Sequence, residues 1–298
     1  MARRRRGRRD RCRRGCAGRR RCHAVTHGTP TVRIGFVGAG RMGRPMVARL
    51  VAAGYEVSVL GRSNDKRSAI AELGAEAVGE VAAVGAAADV VVICVFTDEQ
   101  VREICLTDDL IAAMPSGSVL VLHTTGSPHT AQIIAKRAAP HDVDVVDAPV
   151  SGGPHNAAAG ELTLFVGGAD HTVARVRPVL SSYGDPILHV GPLGAGQKVK
   201  LINNALFAAQ LGLLADSVEF AARLGVEESA LLTALPHGSA ASRVLDIVAA
   251  GGSVASFIET AGEFVGKDVA VIRRIAAELG SDLGTIDDVI DVAIPRVR

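Results

Sequence analysis

Three groups of residues in this chain have the types and spacing to do chemistry. The first is Gly38-Ala39-Gly40-Arg41-Met42-Gly43, a Gly-x-Gly-x-x-Gly run. Its glycines permit a tight turn, bare the backbone N–H groups, and let a following helix pack closely. Bare amides at a helix N-terminus favour an anion such as a pyrophosphate. The second group is Asp147-Ala148-Pro149-Val150-Ser151-Gly152-Gly153. Ser151, Gly152 and Gly153 together offer a hydroxyl and unhindered N–H groups, which suit a carboxylate; the same residues also suit a plain turn between strands. The third is Gly194 to Asn204, where Lys200 and Asn204 stand one helical turn apart on a common face. A Lys on a mostly apolar helix loses hydration, and its lowered pKa suits it to proton transfer. Lys198 lies on another face and reads as a surface charge.

These groups need elements to hold them. Residues 31–37 form a short β-branched, apolar run that reads as a buried strand, and residues 44–53 carry a helical pattern. The glycine run therefore lies between a strand and a helix, where dinucleotide binding requires it. Further strands are expected at 56–60, 89–95, 118–123, 143–146, 162–166 and 187–190. Helices are expected between them at 64–73, 128–138 and 169–181. Such alternation implies an α/β domain, a Rossmann-type doubly wound sheet covered on both faces. From Gly196 onward the pattern is all-helical, with helices at 197–224, 227–235, 240–250, 260–279 and 285–293. The 197–224 helix is apolar nearly all round and must be covered on several sides. The expected organisation is a basic extension over 1–30, a Rossmann domain over 31–192 and an all-helical substrate and dimerisation domain over 193–298.

The turn after the second strand, Leu60-Gly61-Arg62-Ser63, carries no acid. An acid there would accept hydrogen bonds from a ribose 2′-OH, whereas Arg62 pairs with a 2′-phosphate and Ser63 adds a hydrogen bond. This favours NADP, with NAD left open and with Arg62 as an ordinary surface residue the plainer alternative.

The composition bounds the rest. Hydrophobic residues make up 48% of the 298 and aromatic residues only 3%, without Trp, so the core is built from aliphatic side chains. No uncharged apolar run has the length of a bilayer span, so a membrane protein is not expected. Five irregularly spaced Cys argue against a disulfide scaffold, and Cys94 and Cys105 read as packing residues. A cytoplasmic location is expected. The net charge of +2 conceals two unlike parts: residues 1–22 carry twelve Arg and one acid, a net +11, so the remainder carries −9. The arm has no hydrophobic segment for a secretory signal. Cys12, Cys16, Cys22, His23 and His27 lack the paired spacing of a structural zinc site, and no metal is expected. The arm reads as a disordered extension, or as upstream sequence translated from a GC-rich genome, more readily than as a nucleic-acid-binding segment.

These motifs, in this order, resemble the β-hydroxyacid dehydrogenase family of 3-hydroxyisobutyrate dehydrogenases and glyoxylate/succinic semialdehyde reductases. The resemblance runs from residue 32 to about residue 280. It rests on Gly35 to Gly43, Asp147 to Gly153, Gly194 to Asn204 and Lys267-Asp268. It implies hydride transfer between NADP(H) and a small β-hydroxyacid or semialdehyde; the apolar 197–224 helix adds the expectation of a homodimer or homotetramer. It implies that Lys200 is the catalytic lysine and Asn204 its substrate-orienting partner. Thr124, Ser151, Gly152 and Gly153 would contact substrate. Gly38, Gly40, Arg41, Met42, Gly43, Arg62, Ser63, Val95, Phe96, Thr125 and Lys267 would contact the dinucleotide. The chain departs from the family at Leu122-His123-Thr124-Thr125, where Asp-x-Ser-Thr is common. Phe96 stands near where Leu-Pro is usual, Pro154-His155-Asn156 is expected to reshape the pocket, and the last helix is expected to be short. Asn203, where 6-phosphogluconate dehydrogenases carry His, argues against that relative. Lys200 argues against an imine reductase, and Lys200 with Asn204 against a non-catalytic, nucleotide-bound reader of nucleic acid.

Overall fold

The computed structural model describes residues 32–107, 109–278 and 280–294. The basic arm, with its Cys and His residues, lies outside the described residues, and so do positions 295–298. The strands are β1 (Arg33–Val37), β2 (Glu56–Leu60), β3 (Glu76–Val78), β4 (Val90–Ile93), β5 (Val119–Leu122), β6 (Asp144–Asp147), β7 (Val150–Ser151), β8 (Leu162–Gly167) and β9 (Gly184–Gly191). The helices are α1 (Gly43–Ala52), α2 (Asn64–Ala71), α3 (Val81–Gly85), α4 (Asp98–Arg102), α5 (Leu110–Ala113), α6 (Pro128–Ala138), α7 (Pro154–Ala159), α8 (Asp170–Leu180), α9 (Ala195–Arg223), α10 (Glu228–Ala234), α11 (Arg243–Gly251), α12 (Val254–Glu278) and α13 (Thr285–Ala293).

The sheet order is β3-β2-β1-β4-β5-β6-β8-β7, with β9 paired to β8. Strands from β3 through β6 are parallel, and β8 turns antiparallel to β6. This is a Rossmann-type doubly wound sheet, whose reversal point between β1 and β4 is where such sheets take their ligands. Each central strand feeds two cores by alternation of side chains. Phe36, Val92 and Val121 point to one core, whereas Val91, Ile93, Leu120 and Leu122 point to the other. The residues after β9 form an all-helical domain. Its core joins Leu211, Leu232, Val248, Val269 and Ile290 from α9 to α13.

Short elements escape the sequence reading, among them β3, β7, α3, α4, α5 and α7. β3 is only three residues long and is followed at once by Gly79, so no alternation was there to read. α12 begins at Val254 rather than near 260. Pro154-His155-Asn156 opens helix α7, with Pro in its first turn, where the ring needs no N–H. α9 is also the one helix among the described residues long and apolar enough to cross a membrane by composition. It is instead packed by α12 and α13, and at Gly212 a Cβ would lie 1.9 Å from the Val289 carbonyl oxygen.

Candidate active site

The glycine loop leaves β1 at Val37. Gly38 has φ +103, a region that side chains rarely adopt. A Cβ there would also lie 2.2 Å from the Cys94 carbonyl oxygen. A Cβ on Gly43 would meet the Gly38 carbonyl oxygen at 2.2 Å, whereas one on Gly40 would meet nothing within 4 Å. Gly38 and Gly43 are thus fixed by packing. Gly40 faces open space, where a ligand can come close. The adjoining cavity of about 560 Å³ is lined by Gly38, Gly40, Arg62, Lys66, Val95 and Phe96, among others. Three glycines on a strand–helix turn, a cavity of this size and the cations Arg44, Arg62 and Lys66 on its wall fit a dinucleotide phosphate.

Arg62 is exposed on that wall. Ser63 caps α2, its hydroxyl oxygen accepting from the Lys66 N–H at 3.4 Å, so only its hydroxyl proton remains to offer a phosphate. Met42 is half-buried against the sheet core. Thr124 is buried, and its hydroxyl donates to the Val95 carbonyl at 2.9 Å and accepts from the Val95 N–H at 3.0 Å. That exchange fixes the cavity-lining backbone and leaves Thr124 no proton for a substrate. Thr125, half-buried, makes no side-chain hydrogen bond among the described residues.

α9 carries Lys200 and Asn204 to the site, and Asp147 aims the helix. Asp147 is fully buried at the end of β6. Its carboxylate accepts from the Gly194 N–H at 2.6 Å and the Gln197 N–H at 2.7 Å. Burial pushes the carboxyl up to about 6, against the pull of these N–H groups. Gln197 donates to the Thr124 carbonyl at 2.8 Å and accepts from the Gly126 N–H at 2.9 Å. A Cβ on Gly196 would lie 2.3 Å from the Phe165 carbonyl oxygen, so the helix start sits directly on β8. Behind it, His123 Nδ1 lies 2.5 Å from the Ala148 carbonyl, and Nε2 lies 2.9 Å from the Tyr183 hydroxyl. A carbonyl only accepts, so Nδ1 carries the proton and Nε2 accepts from Tyr183. Burial lowers the His123 pKa to about 4 and keeps the ring neutral.

Lys200 is buried, and its ammonium makes no hydrogen bond or close ion pair among the described residues. Burial lowers its pKa to about 8; Asp268 opposes that fall and Lys267 adds to it. Asn204 donates to the Asp268 carboxylate at 2.6 Å and accepts from Asn203 at 3.0 Å. The other Asp268 oxygen lies 3.1 Å from the Lys267 ammonium, and Lys267 donates to the Phe96 carbonyl at 3.1 Å. One connected set of contacts therefore runs from Asn204 through Asp268 and Lys267 to the cavity wall. Ser151 to Gly153 share no hydrogen bond with this set. The Gly153 N–H is taken by Asn156 Oδ1 at 2.9 Å, which leaves the Ser151 hydroxyl and the Gly152 N–H as the groups of this turn still able to donate to a ligand.

Asp147, Gln197 and Asp268 had no role from sequence alone. The signal for Asp147 was an acid closing a buried strand, a position too costly without partners. Cys94 lies on the cavity wall, but burial pushes its thiol up to about 12, so it is a packing group rather than a nucleophile. Among the described residues no cluster of His, Cys, Asp or Glu is placed to hold a metal ion.

A family model described as the NAD binding domain of 6-phosphogluconate dehydrogenase matches residues 33–191. A second, described as NAD-binding of NADP-dependent 3-hydroxyisobutyrate dehydrogenase, matches residues 194–289. The chain is 33% identical over 221 residues to 2-(hydroxymethyl)glutarate dehydrogenase of Eubacterium barkeri, covering 72% of each chain. It is 33% identical over 215 residues to 3-hydroxyisobutyrate dehydrogenase of Pseudomonas aeruginosa, again covering 72% of each. The structure of Mycobacterium tuberculosis 3-hydroxyisobutyrate dehydrogenase with L-serine superposes with a TM-score of 0.78 at 29% identity, covering 88% of this chain and 92% of the other. The chain belongs to the β-hydroxyacid dehydrogenase family of NAD(P)-dependent oxidoreductases.

Proposed function

We propose that this chain transfers a hydride between NADP(H) and a small β-hydroxyacid or its semialdehyde, with Lys200 as general acid and base. The observation that carries the reading is Lys200 itself: a buried, unpaired lysine with its pKa lowered to about 8, beside Asn204 and Asp268. When bound, the dinucleotide supplies or accepts the hydride at nicotinamide C4. Lys200 gives its proton to the developing alkoxide oxygen in reduction and takes it from the hydroxyl in oxidation. Asn204 spends one amide hydrogen on Asp268 and offers the other to the same oxygen. The Ser151 hydroxyl and the Gly152 N–H hold the carboxylate. The amides of the glycine loop hold the pyrophosphate, and Arg62 and Lys66 hold a 2′-phosphate, which favours NADP.

The compounds named for the relatives narrow the substrate class. 3-Hydroxyisobutyrate, 2-(hydroxymethyl)glutarate and L-serine share the unit HOCH2–CHX–COO⁻ and differ only in X. We assign this chain a substrate with that unit, the carboxylate fixed and the primary alcohol presented to Lys200. A panel of such hydroxyacids and the matching semialdehydes, assayed with NADP(H) and NAD(H), tests the assignment. Turnover of secondary alcohols lacking a carboxylate, and of none of these acids, would overturn it.

The helical domain is proposed to pair with a second copy. Ile202, Leu206, Leu213, Phe220 and Leu224 lie exposed along α9 at steps of four and seven residues, the spacing of one continuous apolar seam. The expected assembly is a homodimer or a dimer of dimers.

A further inference from the structure

Side chains from three separate segments meet beside the glycine loop. The Arg41 guanidinium carbon lies 5.1 Å from the centroid of the Phe264 ring. Phe264 meets Phe96 edge to face, with centroids 5.8 Å apart and planes at 87°. Lys267, one turn after Phe264 on α12, sets its ammonium 4.8 Å over the other ring, Phe96. Arg41 belongs to the phosphate-binding loop and Phe96 to the cavity wall, whereas Phe264 and Lys267 come from the helical domain. α12 is thereby tied both to the glycine loop and to the cavity wall. Phe264 is 40% exposed and Phe96 43%, so core burial does not hold them in place.

We propose that Phe264 is a positioning residue for the dinucleotide, holding Arg41 over the phosphate loop and Phe96 at the cavity wall, and so sets how long the cofactor stays bound. The proposal rests on the dinucleotide reading above. An Arg on an exposed loop samples many rotamers, and ordering it at the moment of binding costs entropy. A ring against one guanidinium face restrains the side chain and leaves its N–H edge free for a phosphate oxygen. The edge-to-face contact restrains Phe96 in the same way. Removing the Phe264 ring releases both restraints at once, and the loss falls on the dissociation rate.

The test is stopped-flow displacement of NADPH, followed by its fluorescence, from the full chain and four variants. Phe264→Ala is expected to release NADPH about tenfold faster, and Phe264→Leu, which keeps bulk without a ring, about threefold faster. Arg41→Ala gives its own increase. The double variant Arg41→Ala/Phe264→Ala is expected to fall short of the product of the two, because Phe264 acts through Arg41. An off-rate within about twofold of wild type in both Phe264 variants, with unchanged melting, would overturn the proposal. Full multiplicativity in the double variant would overturn the route through Arg41. Wild-type protein that binds neither NADPH nor NADH would overturn the dinucleotide reading and the proposal together, a result distinct from either.

Discussion

At the residue scale the proposed chemistry turns on Lys200. The residue was legible in the sequence because a lysine on an apolar helix, one turn before an amide, has few structural uses. Its surroundings were less legible. Asp268 shares Asn204 and Lys267 across 64 and one positions of sequence, and no local pattern reports a contact of that separation. Thr124 shows the opposite case: its hydroxyl read as a substrate group, but the backbone of Val95 uses it. Lys200→Ala is expected to lower kcat by about a hundred- to ten-thousandfold, the scale of lost acid–base assistance. NADPH binding, measured by fluorescence titration, should be retained in that variant. Arg62→Ala is expected to raise KM for NADPH about tenfold or more while changing KM for NADH little, because one charge-assisted contact to the 2′-phosphate is lost. Equal effects on the two cofactors would remove Arg62 from the phosphate site.

At the element scale the decisive piece is the start of α9. The Rossmann strands were legible because parallel strands buried on both faces read as short β-branched runs, and 90–93 and 119–122 are such runs. β3 and α7 were not, the first for its brevity and the second because Pro154 next to two glycines reads as a turn. The junction between sheet and helix is made by Asp147, whose carboxylate collects backbone N–H groups at the helix start. Asp147→Asn keeps the shape but sets an amide donor against backbone donors, and is expected to lower stability by about 2–3 kcal/mol in chemical denaturation. It should also lower kcat, since the turn that aims Lys200 loosens. A variant as stable and active as wild type would show that β8 packing alone sets the helix.

At the scale of the whole molecule, the described body is acidic, so the proposed anionic ligands would have to be held by local groups: loop amides, Arg62 and Lys66. The long apolar helix was legible as needing cover on several sides, and the structure shows which side its own domain leaves bare. Leu206→Glu or Leu213→Glu places a charge in that seam. Sedimentation analysis is expected to show dimers or larger for wild type and a shift to monomer for either variant. A wild-type chain that sediments as a monomer would contradict the pairing along α9.

The most direct test of the central claim is the pH dependence of kcat in both directions with one substrate pair. A general base must be neutral to oxidise, and a general acid must be charged to reduce. With the Lys200 pKa lowered to about 8, oxidation should rise with pH and level off above that value. Reduction should be flat below it and fall above it. Opposite limbs meeting near that pH are the predicted result; limbs of the same sign in both directions, or profiles unchanged in Lys200→Ala, would contradict the account.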